Sequence, residues 1–116
     1  VHVNALRART RLIARLADGF AGVQAILAPT VPFTAPTIAD CQGALYGSAG
    51  IKVARNAALV NVIDGCGLSI PCQAAGTAPV GLMLVGLAHT DRTLLALGRS
   101  VERALREAGL GLPAAA

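Results

Sequence analysis

Few residues in this 116-residue chain have the type and spacing to do chemistry. A serine nucleophile on a strand-to-helix elbow needs Gly-x-Ser-x-Gly, because the glycines permit the sharp turn that presents the hydroxyl. The nearest run, Tyr46-Gly47-Ser48-Ala49-Gly50, has tyrosine at the first glycine position. A phosphate-cradling loop needs a third glycine after Gly65-Cys66-Gly67, and Ile70 stands there. Cys66 and Cys72 have five residues between them and no companion histidine nearby, so no zinc site is expected. His89 reads as a surface histidine before a helix cap, and His2 lies near a chain end. Lys52 has no serine at a spacing that suggests a catalytic pair. Asp64, between apolar neighbours, is the most conspicuous carboxylate, and a cap or turn residue bonding backbone amides is its simplest reading. No catalytic constellation is expected within these residues.

Composition narrows the class. The chain is 54% hydrophobic and only 14% charged, and aliphatic residues, alanine and glycine supply that apolarity. Such a chain is expected to bury both faces of a sheet, or to bury surface against something else. The length suits one domain at most. The net charge of +4 comes mostly from arginines, among them Arg7, Arg9, Arg11 and Arg15 near one end and those of the last helix. Helical spacing puts them on faces left in water, with no aromatic interleaving, so nucleic acid is not an expected partner. No stretch has the roughly 18–20 apolar residues of a membrane span, and the early arginines break any signal-peptide pattern. The odd set Cys41, Cys66 and Cys72 fits buried free thiols in a reducing compartment, so a cytoplasmic location is expected. The chain opens on Val1 and its only methionine is Met83, which favours a fragment.

The positioning elements centre on Arg55–Gly86. Two apolar runs of strand length, Gly67–Cys72 and Val80–Gly86, are expected in the middle of a sheet, with glycines at the joints. Before them, Asn4 is expected to cap a helix running to about Gln24, whose apolar stripe is Leu6, Ile13, Leu16, Phe20 and Val23. Ala25–Ala28 reads as a short strand ending in the loop PTVPFTAP, where Pro29, Pro32 and Pro36 hold the chain extended. That loop leaves the end of a strand, where α/β folds place ligand pockets. Thr37–Gly50 reads as a surface loop broken by Gly43, Gly47 and Gly50, and Ile51–Ile63 as a short helix. Thr90 or Asp91 starts a last helix with Leu94, Val101, Leu105 and Ala108 inward and Gly98 as a close-packing position. Glu102–Arg106 and Arg103–Glu107 form i,i+4 pairs, Gly109 ends the helix, and the tail LGLPAAA is expected to fray.

Three runs, in this order, resemble the C-terminal part of the amidase signature family. Ile26-Leu27-Ala28-Pro29-Thr30-Val31-Pro32 with Ala35-Pro36 is similar to the family's strand followed by P-T-x-P-x-x-A-P. Arg55-Asn56 followed by Asn61 to Cys72 resembles its R-N…N-x-x-D/G…S-x-P run. Ala78-Pro79-Val80-Gly81-Leu82-Met83-Leu84-Val85-Gly86, with Asp91 and Leu94-Leu95, is similar to its P-v-G-l-q-l-i-G…d…L-L run. Gln73 replaces a frequent glycine and Cys66 a frequent proline. Asp64 with Cys66 resembles the subset related to allophanate hydrolase. Ala54 stands where transfer-RNA-dependent amidotransferase subunits carry a glutamine-binding aspartate, which argues against glutamine as substrate.

The resemblance implies an α/β fold: the C-terminal portion of a mixed sheet covered by helices, with residues 1–116 one partial domain, incomplete by itself. It implies hydrolysis of a carboxamide C–N bond by a Ser–cis-Ser–Lys triad without metal or other cofactor. In the family that triad lies before the region matched here, and Ser48, Ser69 and Ser100 do not match it. The segment's implied contribution is central strands and, at Thr30, Pro32 and Phe33, part of a substrate-pocket wall. The implied partners are a small amide substrate and the missing N-terminal part of the core, with self-association left open. Two rival readings are a stand-alone interaction or scaffold module on the same fold and, ranked last, an arginine-based nucleic-acid binder.

Overall fold

The computed structural model describes residues 1–41 and 45–112, with backbone alone for 45–51. In chain order the elements are α1 (His2–Gly19), β1 (Ile26–Pro29), α2 (Leu45–Val62), β2 (Cys66–Pro71), β3 (Gly81–Gly86) and α3 (Asp91–Glu107). The three strands form one sheet in the order β1-β3-β2, and both pairings are antiparallel. β3 is therefore central as expected, but β2 is an outer strand. The mixed sheet implied by resemblance is not present among the described residues, whose strands pair antiparallel only.

The register explains the layering. Thr30 N–H bonds to Gly81 O and Cys72 N–H to Val80 O. By the alternation of an antiparallel ladder, odd residues of β3 then bond to β1 and even ones to β2. Side chains alternate as well. Met83 and Val85 pack on one face with Val60 and Ile63 of the α2 end, joined by Leu16 of α1 and Ala28 of β1. Leu84 packs on the other face with Ile70 and Leu94, flanked by Leu68, Leu97, Val101 and Leu105. Helix α3 lies over β2 and β3. At Gly98 a Cβ would run into Leu68 Cδ2, so glycine is what lets α3 approach the sheet this closely.

Several helix limits differ from expectation. α1 begins at His2, with Asn4 inside its first turn, because the Val1 carbonyl already accepts the Ala5 N–H. It ends at Gly19 rather than near Gln24: Ala21 and Val23 turn back on Asp18 and Phe20, and Gly22 takes φ +79°. That turn drops Phe20 into the core. α2 starts at Leu45, so part of the expected Thr37–Gly50 loop is helix. Gly47 and Gly50 each cost about 1 kcal/mol against alanine there. Extending an existing helix is nonetheless easier than nucleating one. Gly43 lies outside the described residues.

Both α2 and α3 end in a Schellman motif. After α3, Gly109 N–H bonds to Arg106 O and Leu110 N–H to Leu105 O, with Gly109 at φ +74°. The tail does not fray at once: Leu110 bridges Ala74, and Gly111 N–H bonds to Gln73 O. Glu102 and Arg106 pair at 2.7 Å as expected; Arg103 and Glu107 form no ion pair among the described residues. Thr90 is the residue before α3, but its hydroxyl donates to Leu87 O at 2.7 Å and accepts from no helix amide.

The packing is open for this length. The radius of gyration is 16.8 Å, against about 13 Å for a compact domain of this size. Among the described residues eight hydrophobic side chains are buried, while fourteen large ones are exposed. No described helix is long and apolar enough to cross a membrane.

Candidate functional site

The loop leaving β1 is tethered at its entry. Thr30 N–H bonds to Gly81 O at 2.9 Å, and Asn56 Nδ2 donates to Pro29 O at 2.8 Å from α2. The Thr30 and Ser69 hydroxyls meet at 2.6 Å. One follows the end of β1 and the other lies on β2, 39 residues apart in sequence, and they meet over Gly81 of the middle strand. A Cβ at Gly81 would lie 2.5 Å from Ser69 Oγ and 2.6 Å from Thr30 Oγ1, so the glycine makes this bridge possible.

The three expected pocket-wall residues separate. Thr30 lines a shallow cleft of about 320 Å³ with Ser69, Gln73 and Gly81. Pro32 lines a different, strongly apolar cleft of about 530 Å³ between α1, α2 and the sheet. Phe33 is half-buried and lines neither. The chemistry available is binding and positioning. Ser69 has Thr30 as its hydrogen-bond partner among the described residues, and a hydroxyl is a poor base for activating a nucleophile.

Asp64 has a structural role more specific than expected. It is the left-handed residue of the motif that ends α2, at φ +60°, with its N–H on Asn61 O and the next N–H, of Gly65, on Val60 O. Its carboxylate does not bond backbone amides; it pairs with Arg9 at 3.2 Å. Arg9 is thus not merely solvated. Its Nε donates to Val62 O at 2.7 Å and Nη2 lies 3.5 Å from Asn61 O, so a cation caps the negative end of the α2 dipole and ties α1 to it. Asp64→Gly should therefore cost little. It relieves a left-handed non-glycine conformation worth about 1 kcal/mol and loses an exposed ion pair worth at most about 1 kcal/mol. A urea-unfolding midpoint close to wild type is expected, whereas Asp64→Val should lower it clearly. A large loss in the glycine variant would show that the carboxylate itself matters.

The thiols are free and half-buried at Cys41, Cys66 and Cys72. Cys66 Sγ lies 3.3 Å from Leu87 O and 3.2 Å from Thr90 Oγ1, which holds the end of β2 against the turn into α3. His89, exposed at φ +65°, is part of that turn. Asn56 and Ser69 belong to the motif runs, yet no local pattern gives either of them a partner. The one available signal is their membership of those runs; only the fold places them beside the strand end from which the proline loop departs.

The sequence model of the amidase family matches residues 2–95. The chain is 34% identical over 98 residues to a 2-amino-5-chloromuconic acid deaminase of Comamonas testosteroni, which covers 81% of this chain and 21% of that protein. It is 32% identical over 101 residues to a glutamyl-tRNA(Gln) amidotransferase component of Methylacidiphilum infernorum, covering 84% and 19% respectively. It is also 32% identical over 103 residues to the corresponding glutamyl-tRNA(Gln) amidotransferase component of Rubrobacter xylanophilus, covering 86% and 20%. The chain spans about a fifth of the length of the curated relatives it matches. No solved structure matches it.

Proposed function

Because the chain belongs to the amidase family, we propose that it is the C-terminal, structural segment of an enzyme that hydrolyses a carboxamide C–N bond. In this reading it supplies three strands and the tethered proline loop, and the nucleophile, base and oxyanion donors come from sequence before it. The observation that carries the reading is the family match over residues 2–95 in a chain that spans a fifth of its relatives. The open packing and the many exposed apolar side chains support it, since both suit surface meant for burial. Thr30, Pro32 and Phe33 form part of the acyl-side wall once the core is complete, with Asn56 and Ser69 holding the loop's entry. The substrate is a small amide, and the free thiols suit a cytoplasmic enzyme.

The purified 116-residue chain should release no ammonia from simple carboxamides such as acetamide or benzamide. Turnover by the chain alone would overturn the claim that its catalytic groups lie elsewhere. Monomeric behaviour with cooperative unfolding, combined with no gain of activity in any amidase context, would favour the scaffold reading instead.

A further inference from the structure

The sheet's two outer strands are not equivalent, and the difference indicates where the rest of an amidase core would attach. On the β2 side α3 covers one face, the end of α2 reaches the other at Gly67, and the Leu110–Gly111 tail crosses beyond Pro71; the residues left exposed on β2 are the small Gly67 and Ser69. On the β1 side cover is missing. Leu27 pairs with Leu84, so it faces the α3 layer, yet α3 stops short of it and it stays 59% exposed. On the opposite face, Ile26 and Ala28 open onto the apolar cleft of about 530 Å³, with Leu12 and Leu16 of α1 on one wall and Leu59 of α2 on another.

The backbone of β1 adds to this. With odd residues of β3 bonded to Ile26, Ala28 and Thr30, the ladder turns the groups of Leu27 and Pro29 to the outer edge. Pro29 has no N–H, and its carbonyl is held by Asn56. An incoming strand can therefore pair at the Leu27 end and not at the Pro29 end. Exposed apolar surface thus wraps around one strand edge and continues into the cleft.

We propose that the β1 edge and the cleft beneath α1 together receive an apolar polypeptide segment from the N-terminal part of the amidase core. This rests on the functional reading above and names the face it uses. The occupant is polypeptide because a small molecule in the cleft would leave Leu27 and the edge groups in water. The cleft's polar groups are also few: Asn56 is already engaged, and Arg55 joins it among the lining residues. Ligand pockets of this size pair an apolar lining with several placed polar groups. The length that relatives carry outside the match, about four-fifths of each, supplies such a segment.

The test is co-expression with the part of the Comamonas testosteroni deaminase that precedes its matched segment, tagged for purification. Wild-type chain should co-elute with it, and hydrogen exchange at the Leu27 amide should slow on binding. Leu27→Glu and Leu59→Glu change side chains that are 59% and 60% exposed, so the chain itself should keep its fold. Each should weaken co-elution by about tenfold or more, the loss of one buried leucine contact. Leu95→Glu, at 58% exposure on α3, is the matched control and should have no effect. Unchanged binding by the Leu27 and Leu59 variants would overturn the docking face while leaving the amidase-segment reading intact. Failure of wild type to co-elute would overturn both. Self-association lost in the same two variants would replace the proposed occupant with a second copy of the chain.

Discussion

Leu84→Ala is expected to destabilise the chain by about 2–5 kcal/mol, the range for deleting a fully buried leucine and leaving a cavity. Leu84 has no solvent exposure and is the largest side chain so buried among the described residues. It sits on the middle strand, opposite both Leu27 and Leu68, and packs with Ile70 and Leu94 beneath α3. Collapse around it is limited because strands flank it on both sides and α3 is already seated on the sheet through Gly98, against Leu68. Whole-domain stabilities are about 5–15 kcal/mol, and a sparsely packed chain belongs at the low end, so the variant should keep no more than about 3 kcal/mol. Urea or thermal unfolding followed by circular dichroism measures this, with Leu95→Ala as a surface comparison expected within about 0.5 kcal/mol of wild type. A loss below about 1 kcal/mol for Leu84→Ala would mean that α3 is not seated on the sheet through this residue.

The second large effect is expected at Gly81. Its Cβ would press against two hydroxyl oxygens that already hydrogen-bond to each other. Gly81→Ala should cost about 1–3 kcal/mol as overpacking and should part the Thr30–Ser69 bridge that anchors the proline loop. The bridge makes a specific claim about coupling. Adding Ser69→Ala removes one of the two obstructing oxygens, so the double variant should lose less than the sum of its single changes. The difference should be about 0.5 kcal/mol or more, as for residues in direct contact. Strict additivity in a double-mutant cycle would show that the hydroxyls do not crowd this site.

The three strands were legible in the sequence. Short apolar runs bounded by proline and glycine placed β1, β2 and β3 within a residue or so of their observed limits. The inward positions Leu94, Val101 and Leu105 of α3 and the close approach at Gly98 followed from helical spacing in the same way, but Ala108, expected inward, is exposed because the helix ends at Glu107. Strand order did not follow, because β1 reaches β3 across more than fifty residues and nothing local records which strand lies in the middle. The start of α2 was hidden by glycines whose local cost the continuing helix outweighs. Arg9 looked solvated because charge pattern reports a face, whereas its partners are carbonyls at the end of another helix. The functional loop was legible as a location only. Thr30, Pro32 and Phe33 fall into different surroundings because the chain bends through residues 30–33 instead of running on extended, as the prolines suggested. The Thr30–Ser69 contact depends on register, which sets it across a glycine that neither residue neighbours in sequence.

The most direct measurement joins the two parts. The deaminase segment preceding the matched region is fused to this chain, and ammonia release from 2-amino-5-chloromuconic acid is followed beside each part alone. The expected result is release by the fusion and none by either separate part. Release by the 116-residue chain alone, or a folded fusion that shows none while the intact deaminase is active in the same assay, would contradict the claim that this chain completes an amidase core.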